Sequence, residues 1–241
     1  MAKSERSDVL HIPRVIHQTW KHNNLENIKD KTFREVAMRS QRSWKANHQH
    51  YEYMFWTDHD MESFVKNQYA WFYPTWKGFN VHIKRVDTAR YCWLHYYGGM
   101  YADLDFICLK PMDPVLKGKE VVLYKPEKHK ESVFAGNAWM ASIPGHPLWL
   151  GMLHYTKEYA CPEVRDVTGV MDHTGPFGLG KVVERYALSQ PDHMICLLQS
   201  DEIGNNSTCK YAYHTREGTW VPQQFFSKIK CLVLRNFLKP S

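Results

Sequence analysis

The hydrophobic pattern switches repeatedly between the short apolar runs of strands and the three-to-four-residue spacing of helices. Residues 14–20 (Arg-Val-Ile-His-Gln-Thr-Trp), entered through Pro13, read as a first strand. Over residues 29–46, Phe33, Val36, Ala37, Ser40 and Trp44 fall on one side of a helix. Residues 51–56 form a second, aromatic strand, after which Thr57 or Asp58 caps a helix reaching about Tyr69. Pro74 interrupts an aromatic segment, and a helix from about Val81 to Tyr97 stops at Gly98-Gly99. The strand that follows runs through Asp103 and Asp105 and is closed by Pro111 and Pro114. Residues 121–124 and 134–141 read as further strands, with helices opened by Pro147 (to about 159) and by Gly175-Pro176 (to about 188). From His193 the pattern gives only short strands and loops. This alternation predicts an α/β sandwich, a largely parallel central sheet flanked by helices, as one domain over 1–241 with residues 1–11 a flexible tail.

Composition narrows the classes. With 44% hydrophobic and 14% aromatic residues, 241 residues can bury a large core. The net charge of +6 comes from scattered basic residues rather than a stripe, so phosphate-bearing small molecules account for it and a nucleic-acid partner is not expected. The six cysteines form no CxxC pair and no metal-ligand spacing with histidine. No run approaches the ~20 apolar residues of a membrane span. The polar start has no signal-peptide pattern, so the chain as given reads as cytoplasmic, or as the lumenal part of a Golgi protein if it is an excised domain.

The stretch Tyr96–Phe106 carries the most chemistry. Asp103 and Asp105, one residue apart on a strand, are expected side by side on one face. Such a pair resists ionising together unless a cation lies between them, and a hard divalent ion with open positions for phosphate resolves the conflict. Upstream, Asp87 and Arg90 share a helical face, either as a plain ion pair or pointing into the same pocket. His17, after an apolar pair, is expected to satisfy buried backbone, and His48 and His50 lack a third zinc ligand. A nucleotidyltransferase would need a glycine- and basic-rich loop near the first strand, and residues 14–21 contain no glycine.

Four blocks then carry a resemblance: Ile-Pro-Arg-Val-Ile-His-Gln-Thr-Trp-Lys at 12–21; Tyr-Glu-Tyr-Met-Phe-Trp-Thr-Asp at 51–58; Arg-Val-Asp-Thr-Ala-Arg-Tyr at 85–91 continuing through Gly-Gly-Met-Tyr-Ala-Asp-Leu-Asp at 98–105; and 137–147 with Thr-Gly-Pro at 174–176. In this order they resemble the DXD-containing glycosyltransferases of the yeast initiating mannosyltransferase and the inositol-phosphorylceramide mannosyltransferases, and distantly the clostridial glucosylating toxins. The resemblance implies a GT-A fold, a divalent metal (Mn²⁺ or Mg²⁺), a nucleotide-sugar donor and transfer with retention to a glycan or glycolipid hydroxyl. GDP-mannose is the donor favoured by the nearest likeness, with UDP-hexoses open. By the same resemblance Trp20 stacks on the donor base, Asp87 and Arg90 hold the sugar, and Asp103 meets sugar or ribose and the metal. Asp105 is the direct metal ligand, and Asn137 lies near the sugar and leaving group. His214 is a further metal ligand and Trp220, after Thr219 in place of the usual Ser, a pyrophosphate donor. Asp105, taken as surface-facing, is expected to tolerate Asp105→Ala without loss of fold. The alternative is a binding protein of the same fold that has lost catalysis.

Overall fold

A computed structural model of the chain describes residues 11–125, 135–159, 165–190 and 195–217. Residues 1–10 of the expected tail, and Trp220, lie outside the described residues. The chain runs β1 (Val15–Thr19), a 3₁₀ turn at Leu25–Asn27, α1 (Lys31–Asn47), β2 (Glu52–Trp56), α2 (Asp58–Gln68), α3 (Tyr73–Gly78) and α4 (His82–Tyr97). There follow β3 (Gly99–Ala102), β4 (Phe106–Cys108), α5 (Asp113–Leu116), β5 (Val121–Tyr124), β6 (Gly136–Ser142) and α6 (Pro147–Tyr159). The order closes with α7 (Val167–His173), α8 (Pro176–Ser189), β7 (Ile195–Leu198), β8 (Ile203–Gly204) and β9 (Ala212–His214).

Six strands form the central sheet in the order β2-β1-β3-β6-β5-β7. Only β6 runs against its neighbours, so the expected largely parallel sheet stands. β3 and β6 are buried along their whole length because both faces are covered. Alternation sorts their side chains: Tyr101 and Met140 face a core with α2, α3, α4, α6 and α8, whereas Met100, Ala102, Trp139 and Ala141 face the other side. On that second side lie α1, through Trp44, and a three-stranded sheet β4-β9-β8, a layer the sequence left as short strands and loops.

Local chemistry sets the junctions. Asp30 Oδ1 accepts from Phe33 N to start α1, and Thr57 and Asp60 form a reciprocal capping box at α2. Gly98 and Gly99, at φ 66° and 86°, turn α4 into β3, and a Cβ on Gly99 would stand 2.5 Å from Val15 O. No other residue allows β3 to lie this close against β1. Three expectations are corrected. Pro74 does not break its segment but opens α3 within the first turn, where a missing N–H is harmless. Pro114 does the same in α5. The strand expected to carry both aspartates ends at Ala102.

Candidate active site

The site lies where β3 leaves the sheet. Asp103 N donates to Ala138 O at 2.8 Å, extending the pairing with β6 by one residue. The chain then turns, with Phe106 N returning to Asp103 O at 3.0 Å. Asp103 and Asp105 therefore sit on a turn between β3 and β4, not on one strand, and the same-face rule applies to Tyr101 and Asp103 instead. Leu104, between the two aspartates, turns the other way into a cluster with Leu25, Ile28, Phe33 and Ala37.

His214, at the end of β9, reaches the turn from the small sheet. Its Nε2 lies 3.0 Å from Asp105 Oδ2, while β9 pairs His214 with Phe106. Asp103, Asp105 and His214 each offer a ligand atom, all within 4.8 Å of one another. Two carboxylate oxygens and an imidazole nitrogen form a donor set that could hold a divalent cation. Burial raises the Asp103 carboxyl above its usual range, beyond what Arg90 relieves, and Asp105 adds repulsion. Burial works against the Asp105 charge too, but His214 outweighs it and holds that carboxyl low. The His214 imidazole is correspondingly raised, by Asp105 and then Asp103 against its own burial.

The other side of the site comes from α4. Asp87 and Arg90 are an i,i+3 pair at 3.3 Å, both almost wholly buried, so the two readings of that pair are joined: it is an ion pair and it faces the aspartates. Arg90 Nη1 also lies 3.3 Å from Asp103 Oδ1 and donates to Asn137 O at 2.6 Å. The guanidinium stacks over the Tyr101 ring at 4.6 Å. Burial opposes the Arg90 charge, but Asp103, Tyr101 and Asp87 raise the guanidinium further above its ordinary value. Asn137, at the start of β6, donates from Nδ2 to Asp87 Oδ1 at 3.0 Å. Burial pushes Asp87 up to about 6 despite Arg90, Thr174 and Asn137.

Trp20 follows β1, packs on Phe33 at 5.0 Å and borders the cluster that holds Leu104. Its Nε1 is buried without a partner among the described residues. The structure thus brings Asp87, Arg90, Asp103, Asp105, Asn137 and His214 together, with Trp20 packed against the cluster that also holds Leu104.

Two members had no assigned role in the sequence. Tyr101 donates to Asp103 Oδ1 at 2.6 Å, and the i,i+2 spacing on β3 was the signal for it. Thr174, between α7 and α8, donates from Oγ1 to Asp87 Oδ2 at 2.9 Å, and Tyr91 donates to Thr174 O at 2.7 Å. That contact spans 87 positions, and no local pattern announces it. Two expectations about other residues hold or change. His17 Nε2 donates to Gly98 O at 2.9 Å, so it does satisfy buried backbone. Asp105 is 6% exposed and paired, so it is not surface-facing, and removing its carboxylate strips His214 of its counter-charge.

Residues 34–122 match the family model described as "Glycosyltransferase sugar-binding region containing DXD motif". The chain is 31% identical over 204 residues to inositol phosphoceramide mannosyltransferase 1 of Schizosaccharomyces pombe, covering 85% of this chain and 61% of that protein. It is 31% identical over 179 residues to the mannosyl phosphorylinositol ceramide synthase CSH1 of Saccharomyces cerevisiae, covering 73% and 43%. The chain spans about half the length of these curated relatives. Among solved structures it overlays on a PaToxG glycosyltransferase at 16% identity and a TM-score of 0.49, over 75% of this chain and 70% of that one.

Proposed function

The chain carries the sugar-binding region of the DXD-containing glycosyltransferases, and on that premise we propose that it moves a hexose, mannose first among the candidates, from a nucleotide-sugar donor to a hydroxyl of a glycan or glycolipid. The carrying observation is the set Asp103, Asp105 and His214, with ligand atoms within 4.8 Å, beside the buried Asp87–Arg90–Asn137 network. Likeness to named mannosyltransferases supports mannose, and so GDP-mannose as donor. Among the described residues no helix is long and apolar enough to cross a membrane.

Asp103, Asp105 and His214 would hold the divalent cation, Mn²⁺ or Mg²⁺. When bound, it supplies positive charge against the diphosphate that leaves the sugar. Trp20 offers its ring face to the donor base. Arg90, fixed by Asp87, Asp103 and Asn137 O, keeps a permanent positive charge beside the donor sugar. Asp87 accepts hydrogen bonds at both oxygens, so it orients hydroxyls as a carboxylate rather than attacking carbon. With Asp103 and Asp105 assigned to the cation and both Asp87 oxygens hydrogen-bonded, the retention that the family resemblance implies is read as same-face attack by the acceptor rather than as passage through a glycosyl-enzyme intermediate. The acceptor hydroxyl's proton then goes to the departing phosphate.

The test is donor hydrolysis without acceptor, across GDP- and UDP-hexoses, in Mn²⁺, Mg²⁺ and EDTA. The expected result is cation-dependent release of one nucleoside diphosphate, reduced about 100-fold or more in Asp105→Asn. Asn preserves the shape and a partner for His214, which Ala does not. Donor binding without hydrolysis of any member would instead make the chain a binding protein of this fold.

A further inference from the structure

Beneath the turn that bears the two aspartates runs a chain of hydrogen bonds that the donor chemistry does not use. Gln18, on β1, and Ser40, on α1, are both fully buried. Tyr53, on β2, donates its hydroxyl proton to Gln18 Oε1 at 2.7 Å and accepts from Gln41 Nε2 at 3.2 Å. That bond orients the Gln18 amide, because Oε1 faces Tyr53 and Nε2 must then face the turn. Gln18 Nε2 donates to Asp103 O at 3.3 Å and to Ser40 Oγ at 3.0 Å. Ser40 sends its single proton to Phe106 O at 2.7 Å. Trp44 Nε1 adds a second donor to Phe106 O at 2.8 Å, and Thr215 N and Oγ1 both donate to Asp105 O, at 2.9 and 3.2 Å.

Every donor in this chain points one way, toward the turn. Asp103 O accepts from Gln18 and from Phe106 N, Phe106 O from Ser40 and Trp44, and Asp105 O from Thr215 twice. The backbone under both carboxylates is thereby held from β1, α1 and the segment after β9. A buried glutamine and serine at the centre of an apolar layer are costly unless wholly satisfied, and leucine and alanine would pack there as well. Their satisfaction is spent on two carbonyls of one turn, Asp103 O and Phe106 O.

Resting on the cation-site reading above, we propose that Gln18 is a positioning residue for that site. Through its amide, oriented by Tyr53 and relayed by Ser40, it sets the separation of the Asp103 and Asp105 carboxylates. It touches neither donor nor cation. Partners that orient metal ligands from behind typically change metal affinity 10–100-fold when removed.

The experiment measures Mn²⁺ affinity of the full chain, from the electron paramagnetic resonance of free Mn²⁺, together with urea unfolding. Gln18→Met keeps the length of the side chain and removes every hydrogen bond. It is expected to weaken Mn²⁺ binding about 10-fold or more. Tyr53→Phe removes one hydroxyl at a half-buried position and frees the amide to flip. It is expected to weaken binding about 3-fold while the unfolding midpoint stays close to wild type. Should Gln18→Met fail to fold, Tyr53→Phe decides alone. Folded variants that bind Mn²⁺ within twofold of wild type, with lowered stability or without, make Gln18 only structural and overturn the assignment. Wild type that takes up no Mn²⁺ overturns the cation-site reading itself, and this role with it.

Discussion

At the scale of single residues, the buried Asp87 carboxylate shows what the site demands of its surroundings. Its Oδ1 faces Asn137 and Arg90 and its Oδ2 faces Thr174, so a charge 3% exposed has a partner on each oxygen. Removing one donor from a buried charged group costs about 1–3 kcal/mol, more than its presence contributes. Thr174→Val is therefore expected to destabilise the protein by about that amount in urea unfolding, and Thr174→Ser to recover most of it. Equal stabilities for Val and Ser would show that the Asp87 bond is not what the threonine contributes. Asp87 and Arg90 were legible as a pair because a helix places i and i+3 together. Thr174 was not, since only the tertiary fold brings the α7–α8 junction to α4. Leu104 packs into the core from this turn, a burial that its apolar character alone fits as well on a turn as on a strand.

Among elements, the strongest periodicities were the most readable. α1, α4, α6 and α8 lie close to their expected bounds because the Asp30 cap, the Gly98 stop and the prolines that open α6 and α8 mark ends of long periodic segments. α3, α5 and α7 escaped because one or two turns carry too little pattern, and the prolines that signal a break also suit a first helical turn. The small sheet escaped because β4, β8 and β9 have two or three residues each, and β4 is joined to β9 only by pairing across more than 100 positions. The Gly98-Gly99 stop was legible as a helix end, but its packing role was not. A Cβ at Gly99 meets both a left-handed backbone (φ 86°) and Val15 O at 2.5 Å, whereas at Gly118 (φ 68°) it meets nothing within 4 Å. Gly118→Ala is expected to cost about 1 kcal/mol through the backbone alone. Gly99→Ala, which also pushes β3 from β1, is expected to cost clearly more. Paired denaturation curves check the difference, and equal losses would mean that β1 and β3 separate without penalty.

For the whole molecule, the sheet is sensitive to acid at one point in its centre. His17 is fully buried, with Nε2 donating to Gly98 O and Nδ1 accepting from Trp56 Nε1 at 3.1 Å. One ring therefore joins β1 to the α4–β3 turn and to β2, and only the neutral Nε2–H tautomer makes both bonds. Burial lowers its pKa from 6.5 to about 4, against a smaller opposing effect of the Gly98 bond. The folded value is the depressed one, so this stabilisation is complete above pH 6.5 and is lost as pH falls toward 4. Between pH 7 and pH 5 the loss attributable to His17 is about 2 kcal/mol. Other groups titrate in the same window with opposite signs: His48 is lowered by burial, while His214 is raised by Asp105. The total slope therefore does not isolate His17, but a difference between variants does. His17→Gln keeps a donor for Gly98 O and cannot be protonated. It should be less stable than wild type at pH 7, because Trp56 Nε1 loses its acceptor. Its stability should also fall about 2 kcal/mol less on going to pH 5. Parallel pH dependence of the two proteins in urea unfolding would show that the ring takes up its proton without leaving the sheet, and that acid acts elsewhere.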